Sequence, residues 1–318
     1  KKADIITIEI ENVNADALEK LEYLGKKVYP SSKNIKTIQN KGLQKLFYKE
    51  NNLPTSDFKI HASLKSIEED LLANKLTYPF IWKSAQFGYD GKGVKVVENN
   101  DQLKKLPNLE CIVEEKIKIQ KELSIIVSRN ESNEESNFPI VEMEFNQQSN
   151  LVERVICPAN IPLSIEETAV QIAINLSRSL NHIGLLAIEM FLTQDNKVLI
   201  NEVAPRPHNS GHHTIECCHT SQFEQHLRSI LNLPLGDTSI KIPGIMLNLV
   251  GENKVEGDVV YENLEEVMKL PGVAIHIYGK RKSRLNRKMG HITIANKNIN
   301  DAIEISKKIK KIIKVTAK

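Results

Sequence analysis

A chain of 318 residues carrying 43 Lys and Arg against 40 Asp and Glu is long enough for two or three domains with sizeable cores. Its formal charge of +3 is too mild to argue for nucleic acid or an anionic membrane as partner. At 41% hydrophobic and 26% charged it has the composition of a soluble globular protein. No apolar run approaches the ~20 residues needed to span a bilayer, and no signal-like segment opens the chain. The four cysteines, Cys111, Cys157, Cys217 and Cys218, lack metal-ligand spacing and read as reduced thiols of a cytoplasmic protein. Cys217 beside His219 could serve as nucleophile and base, but with no orienting partner the pair reads as ordinary loop residues.

In chain order, residues 3–10 are β-branched and strand-like. Asn14 caps a helix over 15–24 that Gly25 ends, and Lys27–Pro30 is a second short strand. Ser31 and Ser32 open another helix reaching about Asn51. This is β-α-β-α order, as in the later part of an open parallel sheet, so the chain is expected to begin in the middle of such a domain. A compact α/β unit follows from Phe58 to Leu123, with strands near His61, at 79–83 and at 94–97, and a helix around 67–74. The polar, acidic segment 130–137 is expected to be a mobile hairpin tip. Helices follow at 165–180 and 221–231, separated by two apolar strands. Short strands dominate from Lys241, and a Lys-rich amphipathic helix runs from Asn300 to about Lys314. The boundaries read as 1–43, 44–236 with a small lobe at about 58–123, and 237–318.

Chemistry concentrates first in the two strands after the long helix. Glu189 sits in the apolar run Leu185–Leu192, and Glu202 follows Val198-Leu199-Ile200 after the turn 194–197, a hairpin pattern. If the strands pair, the two carboxylates project from one face of the sheet. Burial and mutual repulsion would then call for a cation, and Mg²⁺ is the usual partner of clustered hard oxygens beside phosphate. The plainer alternative is a pair of edge-strand glutamates in water. Asn201 and the loop Arg206-Pro207-His208-Asn209-Ser210-Gly211-His212-His213 follow at once, which favours a metal–phosphate site.

A second constellation is Lys83 at the end of a strand, leading into a loop with glycines at 88, 91 and 93. Glycines let backbone amides approach phosphate oxygens, and Lys supplies a point charge. The spacing is neither a Walker A motif nor a Rossmann fingerprint, and a plain hairpin turn would use similar residues. Downstream, the strand from Cys111 to Ile117, with Glu114 and Glu115, runs toward Glu122. Such a crossing suits a purine base and ribose equally as well as it suits a solvated linker. Six of the nine residues 280–288 are basic. Such runs usually lie on solvated faces or bind polyanions, but the Ser, Leu and Asn between them favour an ordered loop with a nucleotide phosphate as its ligand.

Together, Tyr89-Asp90-Gly91-Lys92-Gly93, Glu114-Glu115-Lys116, Glu122, the string Asn201–His212, Thr220–Arg228, and the tail with Tyr278-Gly279-Lys280 and Arg287-Lys288-Met289-Gly290-His291 resemble the ATP-grasp superfamily. Within it they resemble the N5-carboxyaminoimidazole ribonucleotide synthetase family of purine biosynthesis. The resemblance covers essentially the whole chain, and the Asn201–His212 string is its most specific part. It implies a mixed α/β (α+β) ATP-grasp fold, preceded by the tail of a Rossmann-like pre-ATP-grasp domain and followed by a small β-rich substrate-binding domain. It implies carboxylation of 5-aminoimidazole ribonucleotide with bicarbonate and ATP, with Mg²⁺ (Mn²⁺ as an alternative) as the metal and a homodimer as the assembly.

By that likeness Lys41 and Lys83 hold ATP phosphates. Glu114, Glu115, Ile117 and Glu122 hold the adenosine, and Glu189 and Glu202 ligate the metal beside Asn201. Arg206, His208 and Asn209 orient bicarbonate or carboxyphosphate. Glu11, Asn12, Tyr89, Asp90, His212, Lys280, Arg287 and Lys288 bind the aminoimidazole nucleotide. Asp90 could accept a proton from its exocyclic amine, though a hairpin-turn Asp is the plain alternative. The family opens with a Gly-rich G-x-G-Q-L-G strand–turn, and no glycine precedes Gly25 here. Cys217-Cys218 stand where small residues are usual. The competing readings are another ATP-grasp ligase, such as a formate-using transformylase or a biotin carboxylase, and a non-catalytic nucleotide-binding subunit.

Overall fold

The computed structural model describes residues 2–86, 93–146 and 149–318. At the N-terminal end β1 (Ile5–Thr7) and β2 (Lys27–Tyr29) pair in parallel, with α1 (Ala15–Tyr23) between them in the chain and α2 (Ser32–Gln39) after them. The Asn14 side chain accepts the Ala17 amide at the start of α1, and Gly25 follows the helix at φ +77°, backbone that a side chain would strain. The strand expected over 3–10 shortens to three residues because β2, its one partner, is itself three residues long. The single helix expected from Ser31 to Asn51 is two. Asn40 adopts extended backbone that closes α2, and its side chain accepts the Leu43 amide to cap α3 (Lys41–Glu50). A short amide side chain competes with the helical hydrogen bonds in this way, and the break sets Lys41 at the head of a new helix.

The next layer is a small antiparallel sheet. Its elements are β3 (Phe58–His61), α4 (Leu64–Leu72), β4 (Phe80–Ser84), β5 (Val94–Val97), α5 (Asn100–Leu103) and β6 (Cys111–Glu115), with strand order β3-β6-β4-β5. Ile67, Phe80, Trp82, Val97, Leu103 and Val113 fill its core. Tyr89, Asp90 and most of the glycine-bearing loop lie outside the described residues.

The remaining elements are β7 (Ile119–Arg129), β8 (Glu135–Asn137), β9 (Val141–Phe145), β10 (Val152–Cys157), α6 (Leu163–Ser179), β11 (Gly184–Thr193), β12 (Val198–Ala204), α7 (Thr214–Cys217) and α8 (Gln222–Ile230). They continue as β13 (Gly244–Val250), β14 (Gly257–Glu262), α9 (Leu264–Met268), β15 (Val273–Ile277), β16 (Lys282–Ser283), β17 (Lys288–Ala295), α10 (Ile299–Ile312) and β18 (Lys314–Ala317). Nine of these strands form one antiparallel sheet in the order β12-β11-β7-β9-β10-β13-β17-β15, with β8 on β7. β13 lies beyond the expected boundary at 237, yet it pairs with β10, so the C-terminal segment extends the same sheet.

The run Leu185–Ile188 is continuously apolar because both sheet faces are covered there. Leu186 and Ile188 pack with Ile165, Ala169, Ala173 and Leu176 of α6, while Leu185 and Ala187 meet Ile126, Phe138 and Cys218 on the other side. The expected mobile tip at 130–137 is tied down instead. Asn130 is buried and donates to the Leu233 carbonyl at 3.2 Å, the Ser132 amide donates to Asn232, and Lys27 pairs with Glu131 at 2.7 Å. Neighbours from two distant segments, absent from any local reading, hold it. All four cysteines are buried and unbridged. No helix among the described residues is long and apolar enough to cross a membrane.

Candidate active site

A cleft of about 1510 Å³ runs between the small sheet, the N-terminal helices and the face of the large sheet. Glu189 and Glu202 face each other across β11 and β12 at one register position. The register slips immediately beyond this pair, where Met190 aligns with Ile200, so Asn201 is an extra, bulged residue. A bulge re-aims side chains. Here Asn201 comes to accept from Lys83 Nζ at 3.0 Å, with its own Nδ2 lying 3.5 Å from Glu189.

Burial, and then the facing Glu202, push the Glu189 carboxyl well above its ordinary value. Lys41, delivered by the break at Asn40, donates to Glu202 and holds that carboxyl low. One protonated and one ionised carboxyl side by side on the cleft face form a donor set that a hard divalent cation would suit, since it would relieve the repulsion that helps keep Glu189 neutral. No group of three or more His, Cys, Asp or Glu with metal-site geometry occurs among the described residues. Phosphate and water oxygens would therefore complete the shell.

The loop after β12 forms the floor. The Ser210 amide donates to His208 Nδ1, which places the imidazole proton on Nε2, 3.8 Å from Glu189. Burial lowers the His208 pKa to about 3, so this ring is neutral at working pH. Arg206 pairs with Glu11 at 2.8 Å and donates to the Pro207 carbonyl, and its buried Nε has no hydrogen-bond partner among the described residues. Asn209 and Asn248 exchange two amide hydrogen bonds of 2.8 Å, and Asn248 donates as well to the Val152 carbonyl. Gln222 clamps the loop by accepting from the His208 amide and donating to its carbonyl, both at 2.8 Å. A Cβ at Gly211 would stand 2.6 Å from the Gln222 side chain and 2.3 Å from Ile126, so a larger residue there would displace the Gln222 clamp or Ile126.

The structure brings most of the expected residues to this cleft. Glu11, Asn12, Lys41, Lys83, Glu114, Glu115, Ile117 and Glu122 line it, as do Glu189, Asn201, Glu202, Arg206, His208, Asn209 and Lys288. Burial raises Glu122 to about 7. Glu114, expected at the adenosine, is instead enclosed between Lys45 and Lys83, each 2.8 Å away. Glu115, Ile117 and Glu122 remain as the cleft's hinge-side wall.

Three expected substrate residues are not among its lining. His212 is held in a ring stack, 4.8 Å from His291 and 5.8 Å from Phe223, and Gln222 bonds its Nδ1. Lys280 donates to the Lys288 carbonyl and lies over Tyr278, and Arg287 donates to the Lys282 carbonyl. These contacts shape the segment that leads into β17 and its first residue, Lys288. Tyr89 and Asp90 fall outside the described residues. Sequence reasoning missed Lys45, Asn248 and the clamping role of Gln222. Lys45 and Asn248 belong to no motif, although the four-residue spacing of Lys41 and Lys45 on one helix is legible, and Gln222 lies in the Thr220–Arg228 string, which does not reveal its clamping contacts.

Comparison with known proteins agrees with this geometry. Residues 46–223 match the ATP-grasp domain, and residues 244–305 match the phosphoribosylaminoimidazole carboxylase C-terminal domain. The chain is 38% identical to the chloroplastic phosphoribosylaminoimidazole carboxylase of Vigna aconitifolia over 94% of its own length and 54% of that protein, so it spans about half of that relative. It is 38% identical to the N5-carboxyaminoimidazole ribonucleotide synthase of Bacillus subtilis, covering 92% of this chain and 75% of the relative. The crystal structure of N5-carboxyaminoimidazole ribonucleotide synthetase from Thermotoga maritima superposes with a TM-score of 0.90 at 38% identity, over 99% of this chain and 83% of the other. The chain belongs to the N5-carboxyaminoimidazole ribonucleotide synthase family of ATP-grasp proteins.

Proposed function

We propose that this chain is an ATP-dependent carbon–nitrogen ligase that carboxylates 5-aminoimidazole ribonucleotide with bicarbonate, giving N5-carboxyaminoimidazole ribonucleotide, ADP and phosphate. One observation carries the reading: the carboxylates of Glu189 and Glu202 share one register position in a cleft that also receives Lys41, Lys83 and the Arg206–Asn209 loop. The names of the matched relatives support the choice of substrates.

A bicarbonate oxygen attacks the γ-phosphorus and ADP leaves, giving carboxyphosphate. The exocyclic amine then attacks its carboxyl carbon, phosphate leaves, and the amine loses a proton, for which Asp90 is the candidate acceptor. Lys41 and Lys83 neutralise phosphate charge, and Arg206 with neutral His208 orients the small oxyanion beside it. Mg²⁺, or Mn²⁺ in its place, held by Glu189 and Glu202, would offset the charge that repels bicarbonate from the triphosphate. Lys288 stands on the C-terminal side of the cleft for the nucleotide phosphate. Carboxyphosphate must be kept from water until the amine attacks.

The test is coupled ADP release by the protein with Mg²⁺ and bicarbonate. Release that requires 5-aminoimidazole ribonucleotide supports the ligase. ATP binding without release points to a non-catalytic subunit, and release dependent on formate or biotin instead points to another ATP-grasp ligase. The reading includes a cytoplasmic homodimer, tested by light scattering for a mass of twice 36.0 kDa.

A further inference from the structure

Behind the cleft wall lies a closed circuit of buried polar groups. Lys45 Nζ pairs with Glu114 Oε1 at 2.8 Å, and Lys83 Nζ pairs with Glu114 Oε2 at 2.8 Å. The side chains of Lys45 and Glu114 are each 3% exposed, and that of Lys83 10%. Lys45 also donates to Thr55 and, at 3.0 Å, to Ser56. Thr55 in turn donates to the Ile200 carbonyl, one residue before the Asn201 that accepts from Lys83.

An ammonium has three donors. Lys45 holds its ammonium between Thr55, Ser56 and the Glu114 carboxylate and does not line the cleft, whereas Lys83 donates to Asn201, pairs with Glu114 and does line it. We propose that Lys45 is a positioning residue for Lys83: by occupying one oxygen of Glu114 it prevents that carboxylate from capturing Lys83, and so leaves Lys83 an ammonium to present to a nucleotide phosphate.

Charge makes the same point. Two lysines on one glutamate leave the cluster one unit positive, the sign a triphosphate needs. Without Lys45, the buried pair of Glu114 and Lys83 is neutral, and a desolvated carboxylate holds its remaining cation tightly. Burial lowers the Lys45 pKa to about 8, the cost of keeping this second cation in place. Glu114 stays ionised, since the two lysines outweigh its desolvation.

The inference rests on reading the cleft as the ATP site, so ATP binding is measured directly, by calorimetry with Mg²⁺ on the full chain, apart from turnover. Lys83→Met should weaken ATP at least tenfold. Lys45→Met, which keeps length and removes charge, should weaken it about as much, with KM for ATP rising and kcat changing less than threefold. Adding Glu114→Gln to Lys45→Met should restore at least threefold, because the carboxylate that captured Lys83 is gone. A merely structural Lys45 predicts a double variant no tighter than the single, and that result would overturn the proposal, as would wild-type affinity in Lys45→Met. Should Lys45→Met fail to show a cooperative melt, Lys45→Gln decides, since it removes the charge and keeps a donor for Thr55 and Ser56: at least tenfold weaker ATP binding is expected, and affinity within threefold of wild type overturns the proposal. Wild type that binds no ATP removes the nucleotide-site reading and this inference with it. Wild type that binds ATP while the rescue fails removes the inference alone.

Discussion

Glu189 and Glu202 meet at one register position, and the bulged residue Asn201 beside them brings an amide to the same site. Both carboxylates line the cleft on adjacent strands, where they stand beside Lys41 and Lys83. Glu189→Gln and Glu202→Gln should each lower kcat by at least ~100-fold, the scale of losing a charge-stabilising group in a desolvated site. Steady-state ADP release measures it. Activity within tenfold of wild type in either variant would remove that carboxylate from the metal site.

The ligand-free protein should show a stability maximum between about pH 6 and 7. Burial raises Glu189, with help from Glu202, and raises Glu122 to about 7. Above the ordinary carboxylate value the unfolded chain ionises and these native groups do not, so stability falls as pH rises through that window. Histidines act in the opposite sense. Burial lowers His182, His213 and His226 to about 4, and His291 to about 3. Below about pH 6.5 the unfolded imidazoles take up protons that the native ones refuse, which at pH 5 costs about 2 kcal/mol for a group as buried as His182. Melting curves from pH 5 to 7.5, below the range in which Lys45 titrates, check both limbs, and Mg²⁺ with a non-hydrolysable ATP analogue should flatten only the alkaline one. A melting temperature still climbing at pH 7.5 without ligand would contradict the raised carboxyls.

Arg206 is held by Glu11 across the junction of the N-terminal unit and the large sheet, and its buried Nε has no hydrogen-bond partner among the described residues. A lysine cannot reproduce that planar fork. Arg206→Lys should lower kcat/KM for bicarbonate by ~100-fold, in line with loss of an oriented oxyanion donor. ATP affinity should stay within a few-fold. Equal losses for both ligands would show a general collapse of the cleft instead.

Asn248 reaches the site from β13, on the C-terminal part of the sheet, where it donates to the Val152 carbonyl and fixes the amide of Asn209. Asn248→Ala should lower kcat about tenfold, the size expected when a group one contact from the chemistry loses its support. The protein should remain folded. A variant with wild-type kcat would free Asn209 from that dependence.

Much of this was legible locally. The apolar run around Glu189, the turn at 194–197 and the apolar strand before Glu202 read as a hairpin because a strand buried on both faces admits few other patterns. Asn14 and Gly25 marked α1 for the same local reason. The break at Asn40 was not legible, since an amide side chain that caps a helix and one that sits within a helix look alike in sequence, and the choice is made by what α3 packs against. The bulge at Asn201 was hidden too: register is a property of two strands.

The amino-acid sequence by itself determined the family, the two paired strands and the residue types of the cleft, because periodicity and a long motif are local and survive without coordinates. Tertiary structure alone decided which charges neutralise which. Glu114 and Lys45 lie 69 residues apart, and Glu11 and Arg206 lie 195 apart, yet each pair is an ion pair at 2.8 Å. Coulomb energy depends on distance and on exclusion of water, and neither is encoded by position along the chain.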